Sequence, residues 1–430
     1  MIVRLHNIRT AIGAAALGPP RAQSVEQAYG EHCRQWKRFE RNRTAVGRRP
    51  CFAPDGTLFV GDSKGGAIWA YPPRARGRVP EVAPFLFANI DERMAELLGV
   101  ETRQLAYNGL AVHPLTREPH ISLGIKAGGR IEPAVVRVSL EGTILPLNLR
   151  DRAATVHTLA NLPDPDKIFR SLAGEWPVPS AEYYDEKART PMRSMAIVDI
   201  KFHDGELFVS GVSNQEFCSV LRRVPYPFTG SSIETHLEIY HVAHGNYETR
   251  APIRTMQFAT LNGEDTLIAA YACSPIVTIP VSQLTDGATV VGKTIGDMGN
   301  GQPISMVAYR DEGEDRLFIT NVARGPVVLP VSNLDKAPVF TAENAPHPNM
   351  LLDTSPYMPA GPVGKQVMFV GSSLRADLIS DRFFVSLTRE ADTGGLTLET
   401  LPVGPLPIRL EKVWVEFDFP GGQYVPPEAR

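Results

Sequence analysis

This sequence has few cysteines, a small net charge and no long apolar run. Four cysteines occur among 430 residues, and no CxxC or CxxCH motif is present, so c-type haem and the common cysteine-based zinc sites are not expected. The formal net charge of −3 disfavours a nucleic-acid binder, which carries a marked basic excess. No apolar run approaches the roughly 18 to 20 residues of a membrane helix, so no transmembrane segment is predicted.

Several motifs of common enzymes are also missing. The sequence contains no Gly-x-Ser-x-Gly elbow, no dinucleotide fingerprint and no phosphate-binding glycine loop before a helix. Serine hydrolase, kinase and Rossmann-type functions are therefore set aside, and no nucleotide cofactor is expected.

The four cysteines allow two interpretations. Cys33 with Cys51 would join the N-terminal leader to the first strand, and Cys218 with Cys273 would bridge neighbouring repeats, which suits an oxidising compartment. Alternatively, all four are buried free thiols. Both interpretations stay open at this point.

Glycine (36 residues) and proline (37 residues) are plentiful and scattered, which is typical of many short strands joined by tight turns. A hairpin phrase, an apolar strand followed by a polar turn and a second apolar strand, recurs six times. The copies are "CFAPDGTLFVGD", "GLAVHPLTREPHISLG", "DIKFHDGELFVSG", "MQFATLNGEDTLIAAY", "MVAYRDEGEDRLFITN" and "VMFVGSSLRADLISDRFFVSL".

A second pair of strand-like runs follows the hairpins, for example "GAIWAYPP" and then "APFLFANI". Four short strands per repeat predict an all-β fold, a β-propeller of six four-stranded blades, with seven blades as the alternative. A β-sandwich is less suitable, because two sheets rarely need so many strands.

The N-terminal region has two predicted parts. Residues 1–24 resemble a signal peptide, with an early positive charge, the short apolar run "AIGAAALG" and small residues at Ala22-Gln23-Ser24. A disordered cytosolic leader is the alternative. Residues 25–47 predict a basic helical leader, with the best helical pattern between Ser24 and Arg43. Its charge indicates a docking surface or a solvated helix.

The remaining residues, 48–430, are predicted to form a single propeller domain. A stretch rich in proline and acidic residues, 150–194, interrupts the repeats and predicts a long loop insert.

The phrase "DGTLFVGDSKGGAIWAY" resembles six-bladed propellers of the senescence-marker/gluconolactonase, strictosidine-synthase and NHL type. The repeat region as a whole is similar to a group of exported bacterial propeller proteins without an assigned activity. For the lactonase-like members, this resemblance implies a divalent metal, often calcium, at the mouth of the central channel. Asn108 and Asp199 fall near such ligand positions, whereas the corresponding Thr255 and Ser305 are weak ligands.

The segment "YHVAHGNYETR" holds the most reactive side chains. His241, His244 and Glu248 combine two imidazoles with a carboxylate, which suits an open three-ligand site for zinc, copper or iron, or acid–base catalysis. The alternative is structural: His241 ends a strand, and the other two residues hydrogen-bond a crossing loop.

Propeller geometry predicts that this segment lies beside loops of other blades at the mouth of the central channel, the usual place for a ligand. Arginines there would bind an anionic substrate group or tie blades together. The predicted substrate-binding residues are Arg250, Arg254, Arg324, Asn214, Glu216, Asn321 and Lys126, with Asp62 and Lys64 close by. His113 and His120 are interpreted as structural or exposed.

Two functions follow from this pattern. The first is an exported, metal-dependent hydrolase, lyase or oxidoreductase that acts on a small polar or aromatic metabolite. The second is a non-catalytic propeller scaffold that binds a periplasmic protein partner. The predicted location is periplasmic or secreted, and cytoplasmic if the leader is not a signal peptide.

Overall fold

The computed structural model describes residues 47–73, 78–127, 130–167, 191–272, 274–298, 303–321, 325–345, 361–362, 365–366, 372–390 and 393–404. The predicted signal peptide and basic leader helix lie outside these residues. None of the helices that are described is long and apolar enough to cross a membrane.

Strands make up most of the described chain. In chain order they are β1 (Gly47–Phe52), β2 (Leu58–Asp62), β3 (Ala67–Tyr71), β4 (Leu86–Phe87), β5 (Leu105–Val112), β6 (Pro119–Ala127), β7 (Arg130–Val138), β8 (Ile144–Pro146), β9 (Thr155–Thr158), β10 (Asp199–His203), β11 (Glu206–Val212), β12 (Ser219–Pro225), β13 (Ile233–His241), β14 (Asn246–Glu248), β15 (Ile253–Leu261), β16 (Glu264–Tyr271), β17 (Pro275–Pro280), β18 (Thr289–Asp297), β19 (Pro303–Asp311), β20 (Glu314–Asn321), β21 (Val327–Pro330), β22 (Lys365–Gln366), β23 (Ser372–Leu378), β24 (Phe383–Arg389) and β25 (Leu396–Pro402).

Within the described residues these strands form four sheets of four strands and one of nine. The four-stranded sheets have the orders β1-β2-β3-β9, β5-β6-β7-β8, β19-β20-β21-β22 and β23-β24-β25-β4. The nine-stranded sheet contains β10-β11-β12-β13 and β15-β16-β17-β18, joined through β13 and β18, with β14 paired to β13. All six predicted hairpins are confirmed as the antiparallel pairs β1–β2, β5–β6, β10–β11, β15–β16, β19–β20 and β23–β24.

The first strands of these six hairpins contact one another in a closed ring, in the order β5, β1, β10, β15, β19, β23 and back to β5. The described chain is therefore all-β with a propeller-like arrangement, in which the ring strands surround a central axis. The unit that begins with β5 is second in sequence but lies between the last unit and the first.

Gly109 allows the ring to close between β5 and β1. A Cβ atom at this position would lie 2.6 Å from the Arg49 Cα and 2.7 Å from the Pro50 Cδ, closer than real side chains approach. Only glycine permits the two strands to approach so closely here.

Two outer strands come from unexpected parts of the chain. The segment "APFLFANI" was expected to complete the first sheet, but its strand β4 pairs with β25 of the last sheet, with Phe87 opposite Leu398. The first sheet is completed by β9, with His157 opposite Ile68. The insert at 150–194 is therefore not only a loop, because it supplies this strand.

The prediction of six separate four-stranded sheets is not matched, since two four-stranded units merge into the nine-stranded sheet. Their outer strands β13 and β18 pair in parallel over residues 236–239 and 289–292. Each of these outer strands has nine residues, and four residues of each form the pairing at the edges of the two units. Such pairing satisfies backbone groups that an edge strand otherwise exposes.

The core lies between the sheets. A phenylalanine between two apolar residues is fully buried on the second strand of four hairpins, where it packs against the adjacent sheet. These residues are Phe59, Phe208, Phe318 and Phe384.

One helix was missed by sequence reasoning. Helix α1 (Ile90–Leu98) buries Ile90, Met94, Leu97 and Leu98, the spacing of an amphipathic helix. It packs on the last sheet, where the Asp91 carboxylate accepts a hydrogen bond from the Leu396 amide at 3.1 Å. Short 3₁₀ helices occur at Thr102–Gln104, Met192–Met195, Val281–Gln283 and Val331–Asn333.

Two of the four cysteines are described. Cys51 and Cys218 are buried free thiols, which favours the free-thiol interpretation. Burial raises the pKa of the Cys51 thiol to about 12, so this residue is unreactive at neutral pH. Cys33 and Cys273 lie outside the described residues.

Candidate metal site on an outer hairpin

A tight hairpin brings the two histidines and the glutamate together. Strand β13 ends at His241, and β14 returns antiparallel to it, with Glu248 opposite Ile239. Gly245 adopts the left-handed conformation at φ 65°, and its amide donates to the His241 carbonyl at 2.8 Å. Glycine suits this position because other residues rarely adopt that conformation.

The Glu248 carboxylate binds both imidazoles. His241 Nδ1 donates to Glu248 Oε2 at 3.0 Å, and His244 Nδ1 donates to Glu248 Oε1. The two imidazole ring centres are 3.8 Å apart. One ligand atom from each of the three residues lies within 4.8 Å of the others, so they could hold a metal ion together.

The cluster is open to solvent on one side only. The side chains of His241 and Glu248 are 1% and 16% exposed, whereas that of His244 is 38% exposed. A ligand would therefore reach the cluster past His244.

The charge state of Glu248 is set by its two neighbours. Burial alone would raise the pKa of its carboxyl group, but the hydrogen bonds and positive charges of His241 and His244 outweigh burial and lower the pKa to about 2. The carboxylate is thus ionised throughout the physiological range.

This pKa predicts an acid-sensitive contribution to stability. Glu248 ionises more readily in the folded chain than in the unfolded chain, so its contribution is present above pH 4.5 and is lost as the pH falls toward 2. We expect Glu248→Gln to lower the free energy of unfolding by about 3 kcal/mol at pH 6. The difference from the unaltered protein should disappear near pH 2, as measured by urea unfolding at both pH values. If the free energies of unfolding of the two proteins differed by the same amount at both pH values, the ionised state of Glu248 would not be the source of its stabilising effect.

The predicted position of the cluster at the channel mouth is wrong. Strand β13 is the fourth strand of its unit, and β12, β11 and β10 lie between it and the axis. With strands about 4.8 Å apart, the hairpin lies roughly 14 Å outside the ring strand. The segment "YHVAHGNYETR" includes the start of the connection that leads inward to β15. His241 and the β14 hairpin come before that connection, on the outer side of the unit.

Three other predicted residues lie on loops near this unit. Asn214 is exposed and tied to its surroundings, since its Nδ2 donates to Asp164 at 3.1 Å and its Oδ1 accepts from Lys167 at 3.1 Å. Glu216 and Arg250 are exposed as well. The contacts of Asn214 hold its side chain within the loops.

The remaining predicted substrate residues are dispersed. Lys126 is exposed at the end of β6. Asn321 is buried at the end of β20, where its Nδ2 donates to the carbonyls of Ile319 and Gly325 and so stabilises a turn. Arg324 lies outside the described residues. Arg254 is on the ring strand β15, apart from the loops.

The polar groups near the axis differ from those expected for a metal site. Asp199 is fully buried, and its Oδ1 forms an ion pair with Arg49 Nη1 at 3.0 Å. Its Oδ2 accepts from the Met256 amide at 3.1 Å. The Arg49 guanidinium thus pairs with the carboxylate that the resemblance assigned to a metal ion. Asn108 lies on β5, and the ring strand β1 lies between β5 and the strand of Asp199. The alternative metal set of Asn108 and Asp199 stays a prediction.

Arg49 is a buried residue that sequence reasoning missed as a site residue. Its Nη1 also donates to Thr255 Oγ1 at 3.0 Å, so one guanidinium joins β1, β10 and β15. It lies two residues before the first hairpin phrase, and no motif marks it.

His113 and His120 are buried, in agreement with a structural role. His113 Nδ1 accepts from the amides of Leu115 and Thr116 at 3.1 Å. Burial lowers the pKa of His120 to about 3, so this imidazole is neutral at physiological pH.

No family model matches the chain, and no curated protein matches it. Similar solved structures include the PQQ-bound aldose sugar dehydrogenase of Streptomyces coelicolor (11% identity, 85% of this chain and 97% of that chain, TM-score 0.32). Others are the β-propeller domain of Swd1 from Myceliophteria thermophila (8% identity, 84% and 98%, TM-score 0.31) and arabinanase Arb43A of Bacillus subtilis (10% identity, 67% and 91%, TM-score 0.30). TM-scores this low carry no argument, so the propeller-like arrangement rests on the sheets and their ring.

Proposed function

We propose that this chain is a six-bladed β-propeller that binds one divalent transition-metal ion at His241, His244 and Glu248. The six-blade count treats the nine-stranded sheet as two blades, since it contains two ring strands, β10 and β15, each followed by three antiparallel neighbours. The convergence of two imidazoles and one carboxylate on a single point is the observation that carries the metal proposal.

The donor set fits such an ion. Ligand bonds of about 2.0 to 2.2 Å place two donors of one ion at most about 4.4 Å apart, and the donor atoms here lie within 4.8 Å before any adjustment. Two nitrogen donors favour zinc, copper or iron over calcium, which prefers oxygen ligands. Binding through Nδ1 requires each histidine to give up the proton that it now donates to Glu248.

Three protein ligands leave a coordination position open, which is the pattern of a catalytic site. An ion of this class supplies Lewis-acid chemistry when bound. The buried His241 and the ionised Glu248 would fix its position, and the partly exposed His244 marks the side from which a small polar or aromatic substrate would approach. Hydrolase, lyase and oxidoreductase reactions stay predictions, as do export to the periplasm or medium and the partner-binding scaffold.

The test is titration of purified, chelator-treated full-length protein with Zn²⁺ by isothermal calorimetry. We expect one site per chain, and we expect His244→Ala to weaken binding about 100-fold or more, since even outer-sphere changes cost 10- to 100-fold. His203→Ala is the matched control. His203 Nε2 lies 2.8 Å from Asp265 Oδ2, away from the hairpin, so this variant should bind Zn²⁺ with the affinity of the unaltered protein.

Circular dichroism of each variant checks that the fold is retained. Failure of the unaltered protein to bind Zn²⁺ at micromolar concentrations would refute the metal site, as would unchanged affinity in a folded His244→Ala protein.

A further inference from the structure

The seam between β13 and β18 stops just before the metal hairpin turns. The last residues that pair in this parallel seam are Ile239 of β13 and Gly292 of β18. His241 is the most buried ligand of the proposed metal site, and it lies two residues further along β13. A group that fixes the chain between Ile239 and His241 therefore sets the direction of this imidazole.

Thr294 of β18 fixes that stretch through its side chain. The residue is fully buried, and its Oγ1 donates to the Tyr240 carbonyl at 2.7 Å. This carbonyl belongs to the planar peptide group that joins Tyr240 to His241, so the hydroxyl holds the plane from which the His241 side chain departs. The contact joins one four-stranded unit to the next and continues the seam after the backbone pairing has ended.

A residue of a third unit, Phe340, supports Thr294. The Phe340 amide donates to the Thr294 carbonyl at 2.7 Å. Phe340 follows β21, which belongs to the sheet of β19, and its side chain packs with Tyr240 and Val242 in one apolar cluster. Tyr240 and Val242 flank His241 in sequence. Residues of the two following units thus hold the chain on both sides of this ligand.

The other two ligands are held within the hairpin itself. The His244 amide donates to the His241 carbonyl at 3.1 Å, and Glu248 lies opposite Ile239 on β14. His241 is therefore the ligand through which the metal hairpin is joined to neighbouring units. Metal–ligand distances tolerate deviations of only about 0.2 Å, so a small displacement of this imidazole is enough to weaken coordination.

We propose that Thr294 is a positioning residue for the metal site and that metal binding is thereby coupled to the seam between β13 and β18. The inference rests on the proposed function, because it requires His241 to be a ligand. Thr294 acts through the His241 backbone, which it holds so that the imidazole meets His244 and Glu248. Coupling between two sites is reciprocal, so a bound ion also stabilises the seam.

The first experiment measures Zn²⁺ binding by calorimetry with full-length, chelator-treated protein and with matched threonine variants. Thr294→Val keeps the shape of the side chain but removes the hydroxyl. We expect it to bind Zn²⁺ about tenfold more weakly, the lower end of the effect of changes outside the ligand shell. Thr294→Ser keeps the hydroxyl, so it should bind with nearly the affinity of the unaltered protein.

Thr235→Val is the control for a loss of stability alone. Thr235 is also buried on β13, and its Oγ1 donates to the Thr285 carbonyl at 2.8 Å. It lies about 20 Å along the strand from His241, so this variant removes an equivalent hydrogen bond away from the metal site. We expect its melting temperature to fall as that of Thr294→Val does, whereas its affinity for Zn²⁺ should equal that of the unaltered protein.

Hydrogen exchange followed by mass spectrometry tests the coupling without any substitution. Zn²⁺ should slow exchange in the peptide that contains Phe340, because the Phe340 amide is bonded to Thr294. The effect should persist in Thr235→Val and be smaller in Thr294→Val.

The outcomes separate this inference from the proposed function. If the unaltered protein does not bind Zn²⁺, the metal site is refuted and this inference with it. If the unaltered protein binds Zn²⁺, the inference alone is overturned by any of three results. These are unaltered affinity in a folded Thr294→Val protein, equal weakening in Thr294→Ser, and exchange near Phe340 that does not respond to Zn²⁺.

Discussion

Replacement of Glu234 by leucine is expected to lower the free energy of unfolding by about 3 to 5 kcal/mol, because it leaves a buried cation without a counter-ion. Arg222 is fully buried, and its Nε donates to Glu234 Oε2 at 2.7 Å. Burial lowers the pKa of the Arg222 guanidinium, and Glu234 opposes that shift. The remaining contacts of Arg222, to the carbonyls of Ala196 and Ala160 at 3.3 and 3.5 Å, are too weak to replace a carboxylate.

A double-mutant cycle gives this prediction its control. In Arg222→Met with Glu234→Leu both charges are gone, so we expect the double variant to be more stable than Glu234→Leu alone. Asp315→Asn breaks the exposed pair of Arg310 and Asp315 and should cost less than about 0.5 kcal/mol. Urea unfolding followed by circular dichroism measures all of them. A double variant less stable than the single one would show that Arg222 stabilises the fold through its carbonyl contacts instead.

Much of the local structure could be predicted because its causes are local. Asp-Gly and similar turns flanked by apolar runs define each hairpin through neighbouring residues alone, and all six are present. Helix α1 also has a local signal, the spacing of Ile90, Met94 and Leu97, although it is short and lies in a proline- and glycine-rich sequence.

The assignment of outer strands could not be predicted in this way. Strand β4 was predicted within "APFLFANI", but in the wrong sheet, and β9 has four residues, too few to show a strand pattern. Their partners, β25 and β3, are distant in sequence, so only the closed ring decides the pairing. The same applies to the merging of β13 with β18, which depends on how two neighbouring units meet.

The candidate site shows the same division. His241, His244 and Glu248 lie within eight residues, so their contact follows from one hairpin and could be predicted from the sequence. Its distance from the axis depends on which strand of the unit carries it. Arg49 and its partner Asp199 come from separate repeats and have no motif in common, so their pairing could not be predicted.

Asp199→Asn is expected to lower the free energy of unfolding by about 3 kcal/mol or more, because one carboxylate serves three ring strands. Its Oδ1 forms an ion pair with Arg49 of β1, and its Oδ2 accepts from the Met256 amide of β15. An asparagine has one oxygen and one NH₂ group, so it must turn a donor toward either the guanidinium or the amide. The change also removes the counter-ion of the buried Arg49.

The matched control is again Asp315→Asn, the same chemical change at an exposed carboxylate, and urea unfolding at pH 7 gives both free energies. A loss below about 1 kcal/mol for Asp199→Asn would mean that the ring does not depend on this carboxylate.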